Sequence, residues 1–325
     1  MFVVGCHRSG TSLLAGIISD FLTKQKNSEL PEQLSAQVDN PGGFFESRQL
    51  VNLNEDLLDQ LGIDWQHPPL HAIQWQRCEF LPRLHAARKS FAQQALNEAW
   101  VDKDPRLCLT YPAYQHIFLK RTPIAAVIRH PMEVAGSLQA RDMIPIAKGL
   151  IIWFLYNQHL SRSIVESDVL VGYQSIVDLE EKAINALSGF ISSNINEINC
   201  RPDSIESILS RKVQPDWKRS NKEFSHNFLP EIEWQEIAKT CNEIYQKISS
   251  SGFKVSQLHS SFTNTPEAIL RGCAVLGWQK MPAIPEDLTS KLQAAQFEID
   301  KLKNSRSWKM TAPLRWLADI AKNSK

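Results

Sequence analysis

The chain has 325 residues, 43% of them hydrophobic and 22% charged, with a formal net charge of +1. That length supports one α/β domain of ordinary size with extensions, and the near-neutral balance excludes a strong overall polyanion-binding field. Cys6, Cys78, Cys108, Cys200, Cys241 and Cys273 show no C-x-x-C and no metal-ligand spacing, which suits reduced thiols in a cytosol rather than a disulfide framework, and the longest apolar run, 149–155, is too short to span a membrane.

Met1–Val4 reads as a strand with no signal peptide before it. A loop follows, Gly5-Cys6-His7-Arg8-Ser9-Gly10-Thr11-Ser12, and then apolar residues at Leu13, Leu14, Ile17, Ile18, Phe21 and Leu22 on one helical face. Strand, glycine-bracketed loop and helix make an anion cradle: loop amides and a helix N-terminus favour phosphate or sulfate at one spot. The Gly5-x4-Gly10 spacing matches a nucleotide-binding P-loop, but Thr11 stands where a Walker loop has lysine, and the cation is Arg8, inside the loop. A guanidinium grips two oxyanion oxygens at once.

Residues 23–39 are polar and read as a loop or lid, and Asn40-Pro41-Gly42-Gly43 is a turn. A helix starts near Ser47, its N-cap, which leaves Glu46 at the mouth of that helix, either as a partner of its dipole or as a general base. Residues 62–98 read as mostly helical and amphipathic, and His67, His71 and His85 lack a metal pattern. Trp100–Arg106 reads as a short strand ending in Asp102-Lys103-Asp104-Pro105. Lys103 then lies at a strand's carboxyl end, where open α/β sheets bind ligands; the alternatives are a structural ion pair with Asp104, or a Walker-B role for Asp102 or Asp104, for which the apolar run is too short.

Ile124–Ile128 is a buried strand closed by Arg129-His130-Pro131, with Pro131 in the first turn of a helix that carries Ser137. Arg129 and Ser137 can converge on one phosphate. Residues 146–163 read as an amphipathic core helix, 168–172 as a buried strand, 179–192 and 230–250 as helices. The 206–222 stretch is basic, through Arg211, Lys212, Lys218, Arg219 and Lys222. Prolines mark 256–287 as a linker, with a short helix at 266–278. Leu288, Leu292, Ala295, Ile299 and Leu302 form a two-heptad stripe, either a short coiled coil or a helix packed on the domain.

The string Gly5-x-x-Arg8-Ser9-Gly10-Thr11-Ser12-Leu13-Leu14 resembles the 5′-phosphosulfate loop of the sulfotransferases that use 3′-phosphoadenosine 5′-phosphosulfate (PAPS). Strand, Arg129-x-Pro131, helix and Ser137 resemble that family's 3′-phosphate site, Lys103-Asp104-Pro105 its sulfonate-stabilising lysine, and Glu46-Ser47-Arg48 the Glu-x-Arg pair of its protein-tyrosine branch. The resemblance covers residues 1–255. It implies a three-layer α/β fold, a parallel sheet with helices on both faces as in P-loop proteins, followed by a linker at 256–287 and a helical tail at 288–325. It implies PAPS as donor with no metal, held by His7, Arg8, Ser9, Gly10, Thr11, Ser12, Arg129 and Ser137. Glu46, Lys103 and Arg8 would be catalytic, with Arg48 orienting Glu46 or the acceptor, and a basic residue such as Arg211, Lys212 or Arg219 closing the nucleotide site. Gln174 and Ser175 depart from the family's Tyr-Glu-Asp, which puts any role for that turn in doubt.

Residues 305–316, SRSWKMTAPLRW, resemble tails on bacterial glycan-assembly glycosyltransferases. They suggest a carbohydrate hydroxyl as acceptor and contact with a membrane surface or a partner enzyme. No nucleic-acid partner is implied, and self-association stays open. Golgi members of the family carry an anchor. Its lack here suggests a cytoplasmic enzyme of bacterial type, working at the inner membrane surface, or a missing N-terminal segment. The rival readings are a P-loop kinase or nucleotide hydrolase, and a non-catalytic scaffold in glycan assembly.

Overall fold

A computed structural model describes residues 1–26, 45–77, 80–91, 100–118, 120–195, 200–213 and 232–278. The chain divides into two compact units, Met1–Gln76 with Phe80–Met281 and Arg77–Glu79 with Pro282–Lys325. Everything below concerns the first. The heptad stripe, the tryptophan-bearing tail, the 27–44 segment and Arg219 lie outside the described residues.

The elements are β1 (Phe2–Val4), α1 (Thr11–Lys26), α2 (Arg48–Gln60), α3 (Leu81–Ser90), β2 (Asp102–Lys103), α4 (Leu107–Tyr114), β3 (Ile124–Ile128), α5 (Pro131–Asp142), α6 (Ile146–Ser161), β4 (Val169–Gly172), α7 (Tyr173–Val177), α8 (Glu181–Asn194), α9 (Pro202–Lys212), α10 (Ile232–Ser250), α11 (Val255–Ser261) and α12 (Glu267–Val275). The four strands form one parallel sheet in the order β2-β1-β3-β4. The register pairs Val3 with Lys103, Val4 with Ala126, and Ile128 with Gly172.

Alternation along the strands sends side chains to opposite faces. Phe2, Val4, Ile124, Ala126 and Ile128 join one core, with α4, α6 and α10. Val3, Ala125, Val127, Val169 and Val171 join the other, with α1, α8 and α9. The result is a three-layer α/β sandwich whose strands are apolar on both faces, as a covered parallel sheet requires.

Three sequence expectations change. Within the 62–98 stretch, residues 62–77 are not helical, and the described helix is α3: α2 ends at Gly62 (φ +66°) in a Schellman motif, with Ile63 N donating to Leu58 O at 3.2 Å and Gly62 N to Asp59 O at 2.9 Å. Residues 63–77 then run irregularly, anchored by side chains such as Trp75, whose indole donates to Leu109 O at 3.1 Å. The helix at 146–163 is not amphipathic: α6 is buried along its length except at Lys148, because α4, α5, α10, α11 and α12 all pack on it. Its polar residues bond inside the protein: Asn157 donates to Trp153 O at 2.7 Å, Gln158 to Thr265 Oγ1 at 3.0 Å and His159 to Pro69 O at 2.7 Å, while Asn157 Oδ1 has no hydrogen-bond partner among the described residues.

The short helix expected at 266–278 is α12, but α11 (Val255–Ser261) precedes it where no helix is expected. They belong to the domain because Val255, Leu258, Phe262, Ile269, Cys273 and Trp278 are buried against it. Among the described residues no helix is long and apolar enough to cross a membrane, and the five described cysteines are free and buried.

Candidate active site

All four strands deliver candidate residues at or just beyond their carboxyl ends. β1 runs into the Gly5–Gly10 loop and α1, β2 ends in Lys103, β3 is followed by Arg129 and β4 by Tyr173. Between β1 and β3 the chain order switches sides, which makes that crevice the place where an open α/β sheet binds ligands.

The loop is built for close approach. Ser9 N closes a turn onto Cys6 O at 3.1 Å. Gly5 leaves no room for a side chain: a Cβ there would lie 2.5 Å from Val127 O on β3. Gly10 has φ +92°, and a Cβ on it would overlap the Tyr173 ring. Arg8 itself is held at φ +64°, a conformation that costs a non-glycine residue energy and clusters at functional sites. The first turn of α1 (Thr11, Ser12) brings its amides to the same edge.

Arg8 and Arg129 come together across the crevice. Arg8 Nε donates to Ser137 Oγ on α5 at 2.9 Å, and Arg129 Nη1 donates to the Arg8 carbonyl at 3.2 Å. The Arg129 guanidinium also lies 4.4 Å from the centroid of the Tyr173 ring and pairs through Nε with Glu133 Oε2 at 2.7 Å. The two cationic stations inferred from the sequence are therefore contiguous, joined through the Arg8 carbonyl, and Ser137 is bonded to Arg8. Ser9 Oγ, in the same loop, is buried with no hydrogen-bond partner among the described residues.

Glu46 and Lys103 form a buried ion pair; their side chains are 12% and 3% exposed. Burial pushes the Glu46 carboxyl above its ordinary range, and the Lys103 ammonium pulls it only part of the way back. Asp104 is occupied elsewhere, accepting from Asn54 Nδ2 at 3.0 Å and from Arg106 Nη1 at 3.2 Å. Asp104 is thus engaged by Asn54 and Arg106, and the Lys103 ammonium by Glu46. Among the described residues no group of three or more His, Cys, Asp or Glu is placed to hold a metal ion.

His7 points into protein. Its ring lies 4.4 Å from the Trp65 ring, and its Nε2 is 3.2 Å from the Tyr156 hydroxyl, which donates to Trp65 O at 3.0 Å. Because that hydroxyl spends its proton on Trp65, the His7 contact needs an Nε2–H. Burial first, then Arg106, Arg141, Lys103 and Arg8, hold the imidazole well below its usual pKa. Arg48 is exposed on the first turn of α2. Lys212 pairs with Asp20 of α1 at 3.0 Å and lies over the Phe45 ring, and Arg211 folds back to Ser207 O of its own helix at 3.2 Å.

Sequence reasoning missed Tyr173 and Glu133. Tyr173 had one signal, its place directly after the last buried strand. Glu133, one turn after Arg129, looks like any solvated i,i+4 pair.

No family model matches the chain, and no curated protein matches it. Solved structures do. The likeness is to sulfotransferase domains. One is the sulfotransferase domain from the Synechococcus PCC 7002 olefin synthase, 15% identical over 87% of this chain and 94% of that one, with a TM-score of 0.35. Another is the sulfotransferase domain from the curacin biosynthetic pathway, 12% identical over 86% of this chain and 97% of that one, with a TM-score of 0.38. The function proposed below rests on the side chains of the crevice and not on these two likenesses.

Proposed function

We propose that the chain is a sulfotransferase that moves the sulfuryl group of PAPS to a hydroxyl acceptor. The observation that carries the reading is the meeting of Arg8, Arg129 and Ser137 at the β1/β3 crevice beside a buried Glu46–Lys103 pair. A donor with charge at both ends of its adenosine asks for this kind of cationic strip, and the Ser9 hydroxyl, without a partner among the described residues, fits an oxyanion.

PAPS supplies a sulfuryl group on a phosphate leaving group. The loop from His7 to Gly10, through its backbone, and the first turn of α1, with Thr11 and Ser12, would hold the 5′ end. Arg129 and Ser137 would hold the 3′-phosphate, with Tyr173 keeping the Arg129 guanidinium in plane. Glu46 would take the proton of the acceptor hydroxyl as its oxygen bonds to sulfur and the bond from sulfur to the bridging oxygen breaks. Burial raises the proton affinity of Glu46, which suits a base working near neutral pH. Arg8 and Lys103 would stabilise the charge that grows on the leaving oxygen, each worth about 2–4 kcal/mol in the barrier. Exposed Arg48 is then free to meet the acceptor at the mouth of the site.

The acceptor we favour is a sugar hydroxyl of a surface polysaccharide or glycolipid. Its support is the tail sequence at 305–316, which also motivates a cytoplasmic protein working near a membrane surface or a glycan enzyme.

Thermal denaturation tests the donor. Adenosine 3′,5′-bisphosphate should raise the melting temperature and ATP with magnesium should not; preference for ATP would transfer the reading to a kinase or hydrolase, and indifference to both would leave a scaffold. A PAPS-dependent screen over glycan, lipid and peptide acceptors, read by mass spectrometry, tests the reaction. Glu46→Gln should bind the bisphosphate normally and lose turnover by about 100-fold or more; unchanged turnover would remove Glu46 as the base.

A further inference from the structure

We infer that Asp102 is a positioning residue for Glu46: its carboxylate clamps Ser47, the residue after Glu46, to the sheet and so sets the Glu46 carboxylate against the Lys103 ammonium. The inference deepens the reading of Glu46 as the base and rests on it for its functional meaning.

The clamp has three bonds. Asp102 Oδ1 accepts the backbone N–H of Ser47 and of Lys103, both at 2.9 Å. Asp102 Oδ2 accepts the Ser47 hydroxyl at 2.5 Å. Ser47 Oγ in turn accepts Leu50 N at 3.1 Å, which caps α2. One carboxylate thus ties the start of α2 to the carboxyl end of β2. Glu46 immediately precedes the residue clamped from one side, and Lys103 immediately follows the residue that clamps it. The ion pair and the clamp are one junction, displaced by a single residue along each chain segment.

This arrangement is costly as a mere helix cap. Asp102 is 2% exposed. Ser47 faces it from α2, Lys103 and Asp104 come from its own segment, and the Met1 amino group lies near. Among these, the Lys103 ammonium pairs with Glu46. A serine already caps α2, and an amide side chain at 102 would keep the two backbone bonds without burying charge. The carboxylate adds the strong acceptor for the Ser47 hydroxyl, the bond that fixes residue 47 on the side-chain side as well as the backbone side.

The test follows the Glu46 carboxyl by 13C NMR in protein labelled at glutamate, with its resonance assigned through Glu46→Gln. In the unsubstituted protein Glu46 should titrate above ordinary glutamate. In Asp102→Ala the residue is released toward water, and its midpoint should fall by about one pH unit or more toward the ordinary value. A folded Asp102→Ala protein whose Glu46 titrates as before overturns the inference. If that variant does not fold, Asp102→Asn removes the carboxylate–hydroxyl bond together with the charge, and Ser47→Ala removes that bond together with the α2 cap. Each should lower the midpoint by about half a pH unit, and no movement in either overturns the inference equally. Adenosine 3′,5′-bisphosphate affinity should stay within about twofold throughout, because the clamp does not touch the loop. The two readings fail separately: a bisphosphate that never binds the unsubstituted protein sinks the donor assignment, and an unmoved Glu46 titration sinks the clamp.

Discussion

Arg129 shows how one side chain is set by competition. Its guanidinium has three partners: the Arg8 carbonyl, the face of Tyr173 and the Glu133 carboxylate. The first two orient it without neutralising it; the third opposes any anion that approaches. Glu133→Gln keeps an acceptor for Nε and removes the charge, so affinity for adenosine 3′,5′-bisphosphate should rise about three- to tenfold, measured by calorimetry. A fall would mean that Glu133 is the group that aims Arg129. Asp102 poses the converse problem. Burial lifts its carboxyl to about 6 from 3.8, so the folded chain holds this proton more tightly than the unfolded chain does. Its contribution to stability is then best below pH 4 and is lost as pH rises from about 4 to 6, leaving a cost of about 3 kcal/mol at pH 7. Asp102→Asn should therefore match or exceed the parent in urea unfolding at pH 7 and lose that advantage at pH 4, even while Glu46 is less well held.

At the scale of the element, the loop after β1 owes its shape to β4 and α7 as much as to its own glycines. Gly10 needs both its positive φ and the space taken by the Tyr173 ring. Gly62 and Gly252 also have positive φ, +66° and +74°, but among the described residues no atom beyond the chain neighbours lies within 4 Å of a Cβ there. Alanine at 62 or 252 should cost about 1 kcal/mol from backbone strain alone. Gly10→Ala adds the clash, and should cost about 2–4 kcal/mol in chemical denaturation and weaken bisphosphate binding at least tenfold. Equal costs at the three positions would mean that Tyr173 moves aside freely, and with it the plane on which Arg129 rests.

The whole domain is organised by the two faces of one small sheet. On one side α6 is enclosed by five helices, two of which, α11 and α12, come from sequence beyond residue 254. Truncation after residue 255 would uncover Trp153, Phe154 and Ile151, which pack against Phe262 and its neighbours. Losing that much buried apolar and aromatic surface outweighs the net stability of an ordinary domain. A chain ending at 255 should be insoluble or unfolded by circular dichroism, whereas one ending at 281, where the first compact unit ends, should melt cooperatively and keep bisphosphate binding. A stable, binding-competent 1–255 fragment would return 256–278 to the role of a linker.

Local patterns in the sequence were enough for the strand, loop and helix of residues 1–22, for β3 with Arg129 and Pro131 behind it, for β4, and for Ser47 as the cap of α2. In each, periodicity, turn chemistry and capping act between residues a few positions apart, so the chain carries the information locally. Tertiary structure decided the partners: His7 turned onto Trp65 and Tyr156, Tyr173 under Arg129, Glu133 against it, Asp102 clamping Ser47. Those contacts join residues as much as 149 positions apart, and a buried polar group takes whichever partner the packed elements bring within reach. The same holds for 63–77 and 256–278, whose side chains gain their stability from surfaces that exist only once the sheet and α6 are assembled.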